Sequence, residues 1–352
     1  MMISYDVVSF DAPLVRRERE TPVPEGAEVL LKVMATGVCH SDVHVRAGGY
    51  DLGGGKRLRM GERGVALPLT LGHEIVGEVI AAGPDADPSL IGRRTLVYPW
   101  LGCGTCALCA CGREQMCAKP HSLGIFRPGG YSDHVLVPHP RYLIDVADMP
   151  PEQAAPLACS GLTTYSALRR FDAEVLRSTP IVVIGAGGLG MMCVRLVKAL
   201  GGAGAIVVDI DATRRQAALD ARALAAFDPT QADVARAIVD AAGGTVLGAI
   251  DLVGASSTAG LGLDVLSKGG RLLLIGLAGG DLNLGLPLMP LRAVSIEGCY
   301  VGSLPELREL VALVRQAGLP PFPARCRALH EAEEALRDLE EGRFVGRFIL
   351  QP

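Results

Sequence analysis

Ile181-Val182-Val183-Ile184-Gly185-Ala186-Gly187-Gly188-Leu189-Gly190 is the stretch whose reading decides the fold. Four apolar β-branched residues in succession suit a parallel strand buried on both faces. Glycines follow at once, and the apolar run Met191 to Leu200 predicts a helix. A glycine fingerprint alone is weak. Here a second strand, Ala205 to Asp209, ends in a carboxylate, so strand, turn, helix and acid stand in the order of a dinucleotide-binding unit. Gly185 permits the tight turn, Gly187 lets the backbone approach a pyrophosphate, and Gly190 lets helix and strand pack closely. The phosphates would rest on the helix N-terminus, where Gly188 and Leu189 lie and where amides and dipole favour anions. Asp209 would accept hydrogen bonds from the adenosine ribose and repel a 2′-phosphate, which favours NAD over NADP. Arg214 and Arg215, one turn further on, keep the NADP exception open, and Arg214 is a candidate cofactor contact.

Outward from this unit the alternation continues. Helices are expected over Thr213 to Ala226, Asp233 to Ala242 and Ser257 to Leu266, and strands over Ala249 to Val253, Arg271 to Ile275 and Ala293 to Glu297. This is the rhythm of a doubly wound parallel sheet in an α/β protein. Val253 and Gly276, at the ends of two of these strands, join the expected cofactor contacts. Beyond Tyr300 the pattern predicts amphipathic helices over Leu304 to Ala317 and Glu331 to Glu340, then a strand over Val345 to Leu350. Residues 1 to about 150 read as β-rich instead. Short apolar runs (Val29 to Ala35, Ile75 to Ala81, Arg94 to Tyr98, His134 to Pro138) are separated there by Gly and Pro. From Glu152 to Arg170 the pattern turns helical.

Three pieces of sequence carry metal-binding side chains. Gly37-Val38-Cys39-His40-Ser41-Asp42-Val43-His44 follows a strand-like run, Gly72-His73-Glu74 follows another over Leu67 to Leu71, and Ala158-Cys159-Ser160-Gly161 comes later. Cys39, His73 and Cys159 supply two thiolates and one imidazole, which leave the fourth corner of a tetrahedral zinc free. Alone, Cys159 reads as a buried small residue; its meaning comes from the company of Cys39 and His73. A fourth piece is the cluster Cys103, Cys106, Cys109 and Cys117. Four thiolates on a glycine-rich loop can close a tetrahedral shell, the mark of a structural zinc. The competing readings are a chance cluster and an iron–sulfur centre, and Cys111 falls off the spacing as a bystander. Between the first two pieces, Gly53 to Gly55 precede Lys56, Arg57, Arg59 and Arg63. That stretch is either a solvated surface loop or a rim that screens substrates.

The chain has 352 residues, enough for two domains, with 49% apolar and 20% charged residues. A net charge of -4 gives no footprint for nucleic acid. No apolar run is long enough to span a bilayer, and no secretory pattern opens the chain. The expected location is the cytoplasm, where clustered cysteines bind metal more often than they pair.

Taken in order, these pieces resemble the zinc-containing medium-chain alcohol dehydrogenases almost end to end, and their pattern is most similar to prokaryotic tetrameric, NAD-dependent members. The resemblance rests on Gly37 to His44, on Leu69-Thr70-Leu71-Gly72-His73-Glu74 and on Ala155 to Tyr165. It implies a β-rich, GroES-like catalytic domain from residues 1–160 and 301–352, and a Rossmann domain from 161–300 inserted between. It further implies that Cys39, His73 and Cys159 hold a catalytic zinc, with Glu74 as an alternating ligand; the competing reading keeps Glu74 behind the ligands. Ser41 would take the proton of the alcohol and His44 would pass it towards solvent, although Ser41 could merely cap a turn and His44 could be an exposed loop residue. His40 would touch the pyrophosphate, Thr163 the nicotinamide and Arg347 a phosphate. Trp100 reads as core or pocket wall. The implied activity is reversible oxidation of a primary or secondary alcohol with NAD and two zinc ions per chain, in a homotetramer or homodimer. Alternatives are a polyol or sugar dehydrogenase on the same scaffold, a non-catalytic zinc- and dinucleotide-binding protein, and a zinc-free quinone reductase.

Overall fold

The computed structural model describes residues 1–352. Ile181–Ile184 lies inside a six-stranded parallel sheet, flanked on one side by Ala205–Val208 and then Ala225–Phe227. On the other side come Gly248–Asp251, Arg271–Leu274 and Ser295–Gly298. The strand order reverses beside Ile181–Ile184, which opens a crevice at the carboxyl ends of the strands. Alternate side chains of that strand serve two cores: Ile181 and Val183 pack into the main cluster with Met191 and Leu196, while Val182 and Ile184 join Ile206, Ile238 and Leu272. Burial on both faces is why the strand shows no polar alternation.

The helix expected over Thr213 to Ala226 ends at Asp220, and Ala225–Phe227 becomes the edge strand. Arg222 turns the chain through the left-handed region, with φ 70°. An alanine-rich run favours a helix locally, but the open edge of Ala205–Val208 overrides that preference. The last strand of this sheet starts at Ser295 rather than Ala293, because Leu288–Arg292 is helical and Ala293 is left-handed, with φ 50°.

The other large sheet has Val29–Gly37 near its centre. Glu74–Ala82 and His134–Val137 pair with that strand, Arg94–Val97 and Leu143–Asp145 extend the sheet one way, and Arg347–Gln351 and Ala324–Ala328 extend it the other. Ala324–Ala328 was not expected, nor was the three-stranded sheet of Met2–Val7, Val15–Arg19 and Leu69–Thr70. Val15–Arg19 reads Val-Arg-Arg-Glu-Arg and is mostly exposed, so it carries no burial pattern. The basic stretch is a hairpin, Gly49–Asp51 against Arg57–Arg59, whose Gly54 amide donates to Asp281 Oδ2 at 2.9 Å. That contact sets it across the cleft from the parallel sheet's loops.

The two sheets meet through the helix Ser160–Leu168, buried at every residue and packed on the helix Gly188–Ala199. A Cβ at Gly161 would lie 3.1 Å from Leu157 and Leu310. Glycine there lets Leu304–Ala317 pack on this helix without Leu310 having to give way.

Candidate active site

Strand Val29–Gly37 delivers Cys39 to the start of the short helix His40–Arg46. Asp42, in the first turn, organises what surrounds it. Its carboxylate accepts from the Cys39 amide at 2.9 Å, the Gly72 amide at 3.3 Å and the Tyr131 hydroxyl at 3.1 Å, and faces His73 Nδ1 at 3.1 Å. A carboxylate at Nδ1 holds the proton there and frees the Nε2 lone pair. His73 Nε2 is buried and has no hydrogen-bond partner in the protein. That orphaned nitrogen is what a metal ligand requires.

Cys159 comes from a helical region that is broken at the point of use. Ala155–Ala158 is a 3₁₀ turn, Cys159 sits at φ -127° and ψ -73°, and the α-helix resumes at Ser160. The break turns the thiol towards Cys39, Sγ to Sγ 3.9 Å. The ligand atoms of Cys39, His73 and Cys159 all lie within 4.8 Å of one another, and the three residues are buried. The hydrogen bond from the Cys159 thiol holds Cys39 well below its ordinary value despite burial, with the Arg347 charge assisting. A thiolate is therefore favoured where a cation would bind. Donor set, spacing and the free imidazole nitrogen fit a zinc ion with one open position.

Glu74 lies outside this three-ligand group. Its Oε1 accepts from Arg347 Nη2 at 2.8 Å and from the Ser160 amide at 3.3 Å. Burial pushes the Glu74 carboxyl up to about 7, against the pull of Arg347. The arrangement favours Glu74 as a residue behind the ligands, because a buried guanidinium already neutralises it. Arg347 also donates Nη1 to the Val38 carbonyl at 3.2 Å, and that nitrogen lies 3.3 Å from where a Cβ on Gly188 would stand. Arg347 therefore bridges Glu74 and the glycine turn.

A cavity of about 360 Å³ runs from Cys39 and Cys159 to the glycine turn. It is lined by His40, Ser41, His44, Thr163, Gly185, Gly187, Gly188, Leu189, Gly190, Asp209, Arg214, Val253, Gly276 and Arg347. Every expected cofactor residue thus reaches one space, while His73 and Glu74 lie wholly buried behind it. Gly185 is left-handed at φ 97°, and a Cβ on Gly190 would stand 1.9 Å from the Gly185 carbonyl oxygen. A Cβ on Gly187 would meet nothing within 4 Å, so the backbone there is open to an approaching phosphate. Asp209 is oriented by the amides of Ala186 and Asp211 at 2.7 and 2.9 Å, with Arg214 4.0 Å away. Ser41 and His44 lie one helical turn apart, and the His44 ring packs on Tyr50 with centroids 4.7 Å apart.

Sequence reasoning left several lining residues unassigned: Tyr50, Ile125, Leu277, Cys299 and Tyr300. Trp100 proves to be both core and wall. It is 2% exposed, donates Nε1 to the Ala158 carbonyl at 2.9 Å and packs on His73 and Tyr300. Asp42 could have been found from its position three residues after Cys39, since a carboxylate there can cap the turn that presents the thiol. Tyr300 and Leu277 lie on loops after strands and carry no local signal.

The second cysteine group, Cys103, Cys106, Cys109 and Cys117, also has its four sulfurs within 4.8 Å of one another. Amides of Cys103 and Lys119 donate to Cys117 Sγ at 3.3 and 3.4 Å. Cys111 instead directs its thiol to the Leu108 carbonyl. Glu114 ties the loop to the body, accepting from Tyr142 at 2.7 Å and pairing with Arg141 at 2.9 Å.

The chain is similar to known proteins along its length. The alcohol dehydrogenase GroES-like domain matches residues 25–148, and the zinc-binding dehydrogenase family matches residues 188–316. An NAD-dependent alcohol dehydrogenase of Sulfurisphaera tokodaii is 38% identical, over 98% of this chain and 99% of its own. The chain belongs to the zinc-type medium-chain alcohol dehydrogenases. Within this family the alcohol dehydrogenase of Aeropyrum pernix superposes with a TM-score of 0.88 at 27% identity, covering 99% of this chain and all of that one. A D-arabinose 1-dehydrogenase (NADP(+)) of Saccharolobus solfataricus is 29% identical over 97% of this chain and 95% of its own.

Proposed function

We propose that this dehydrogenase carries out reversible oxidation of a primary or secondary alcohol to an aldehyde or ketone with NAD. The observation that carries this reading is the opening of the Cys39 and Cys159 end of the ligand group into the same cavity as the glycine turn. Zinc held by Cys39, His73 and Cys159 supplies Lewis acidity, which lowers the pKa of water from about 15.7 to about 7, or ~12 kcal/mol of help to an ionising hydroxyl. No ordinary hydrogen bond supplies as much. NAD, when bound, supplies the hydride acceptor.

The chain's own residues do the rest. Ser41 takes the alcohol proton and His44, one turn along, relays it to solvent. Burial keeps His44 below its ordinary value against the pull of Cys39, so it is neutral at pH 7 and able to accept. Thr163 positions the nicotinamide from the cavity wall, the amides at Gly188 and Leu189 hold the pyrophosphate with His40 and Arg347 beside it, and Asp209 selects the ribose of NAD. Cys103, Cys106, Cys109 and Cys117 hold a second, structural zinc. Residues 1–160 and 301–352 form the catalytic domain, and 161–300 the nucleotide domain.

The sugar dehydrogenase reading has support in the arabinose-oxidising relative. Against it, Asp209 is the only carboxylate lining the cavity, and the remainder near the metal ligands includes Tyr50, Trp100, Ile125, Leu277 and Tyr300. A polyol would find few hydrogen-bond partners there beyond Ser41, His44, Thr163 and the two tyrosine hydroxyls. The test is activity with NAD and NADP over benzyl alcohol, cyclohexanol, sorbitol and arabinose, with zinc counted per chain. About two zinc ions, NAD preference and turnover of the apolar alcohols are expected, and Cys39→Ala or His73→Ala should abolish turnover while dinucleotide binding persists. Retained activity in both variants removes zinc from the mechanism.

The assembly is a homo-oligomer. Leu286, Leu288 and Leu291 are exposed beside the edge strand Ser295–Gly298, which pairs on one side only. A second copy placed edge to edge covers both. The ten cysteines, all unpaired, suit a reducing cytoplasm. No helix is long and apolar enough to cross a membrane.

A further inference from the structure

A second cavity, of about 330 Å³, shares no lining residue with the first. Its walls come from the segment leading to Cys159, from the helix Gly188–Ala199 through Met192 and Arg195, and from the end of the helix Leu304–Ala317 with its following loop. Gln153 pins that loop by donating to the Phe322 carbonyl and accepting from its amide. Most of the lining is apolar, including Met149, Leu157, Met192, Val314 and Leu319.

Three charged side chains reach it. Asp148 and Arg315 satisfy each other through two hydrogen bonds of 2.9 and 2.6 Å. Arg195 has no carboxylate partner. Its Nη1 donates to the Pro321 carbonyl at 2.7 Å, its guanidinium lies over Phe322, and its Nε is buried with no acceptor. An arginine keeps its charge in this half-buried setting, and the protein supplies it no counter-charge. The cavity thus combines apolar walls with one guanidinium that has no carboxylate partner and whose outer Nη2 makes no hydrogen bond, a planar end that suits a carboxylate.

We propose that this cavity is a binding site for a small monocarboxylate with an apolar body, seated with its carboxylate on Arg195. A single guanidinium end serves one negative charge, whereas a phosphate dianion would need further donors that the apolar walls do not provide. The volume is at the small end of ligand pockets, about 300 to 1,000 Å³. Two of its walls lead forward to Cys159 and to Gly188, so an occupant would brace the elements that present the metal ligand and the glycine turn. The site is independent of which alcohol the enzyme oxidises.

The test uses 4-iodobenzoate with the zinc-loaded enzyme. Co-crystals should show an anomalous iodine peak in the rear cavity with the carboxylate against Arg195. Calorimetric titration should show a binding event that weakens at least ten-fold in Arg195→Gln and also in Leu319→Trp, which fills the cavity from the loop. Iodobenzene, lacking the carboxylate, should give no event there. An iodine peak confined to the active cleft, or affinity unchanged in both variants, overturns the proposal.

Discussion

Asp42 serves four donors from three separate stretches of chain: the Cys39 and Gly72 amides, the His73 ring and the Tyr131 hydroxyl. It is wholly buried, so none of these bonds is shared with water. Replacing it by Asn puts an NH₂ donor where only acceptors are tolerated and removes the charge that fixes the His73 tautomer. Partners behind metal ligands typically govern affinity by about 10- to 100-fold. Asp42→Asn should therefore lose zinc to a competing chelator at about 10- to 100-fold lower chelator concentration, while its far-ultraviolet spectrum is unchanged. Equal zinc retention would show that His73 needs no orientation from Asp42. Cys39 and His73 were legible because each sits in a short polar motif at the end of an apolar run, and Cys159 only through their company. Tyr50, Leu277 and Tyr300 were not, because folding alone assembles that wall from a hairpin strand and two distant loops.

The cysteine loop shows how an element with little apolar content is held. Of residues 103–117, Cys109, Glu114 and Cys117 are buried, and Glu114 is there for its hydrogen bonds. Structural zinc in small peptides contributes about 10 to 16 kcal/mol, but here the Glu114 anchor keeps part of the loop in place without metal. Cys106→Ser should thus bind one zinc fewer per chain and melt several degrees lower, at ~2 to 4 °C per kcal/mol for a domain of this size. Calorimetry and metal analysis decide it; a variant that melts like the parent shows that the loop is not metal-held. Among the helices, Leu304–Ala317 was legible at both ends. Ser303 and Glu306 bond reciprocally at its start, and Gly318 turns left-handed after its end, with φ 56°. The helix ending at Asp220 lacked such a stop, because Arg222 adopts a left-handed turn that arginine does not advertise.

At the scale of the whole molecule, the proposed assembly rests on the exposed leucines beside Ser295–Gly298. Leu286 is 79% exposed and Leu291 is 69% exposed. A charge there costs a lone subunit little but would be buried unpaired between two copies. Leu286→Asp should sediment as a smaller species than the parent at the same concentration. Unchanged sedimentation would place the contact elsewhere.

The strand Arg347–Gln351 has a further consequence. It fills an interior position of the sheet begun by Val29–Gly37, between that strand and Ala324–Ala328. During synthesis the first-made strands of that sheet wait beside a vacant slot until the chain has passed through the whole parallel sheet and returned. The parallel sheet of residues 181–298 is contiguous and meets no such delay. Cutting the chain before Arg347 should therefore leave the parallel sheet whole while depriving the other sheet of an interior strand, its keystone.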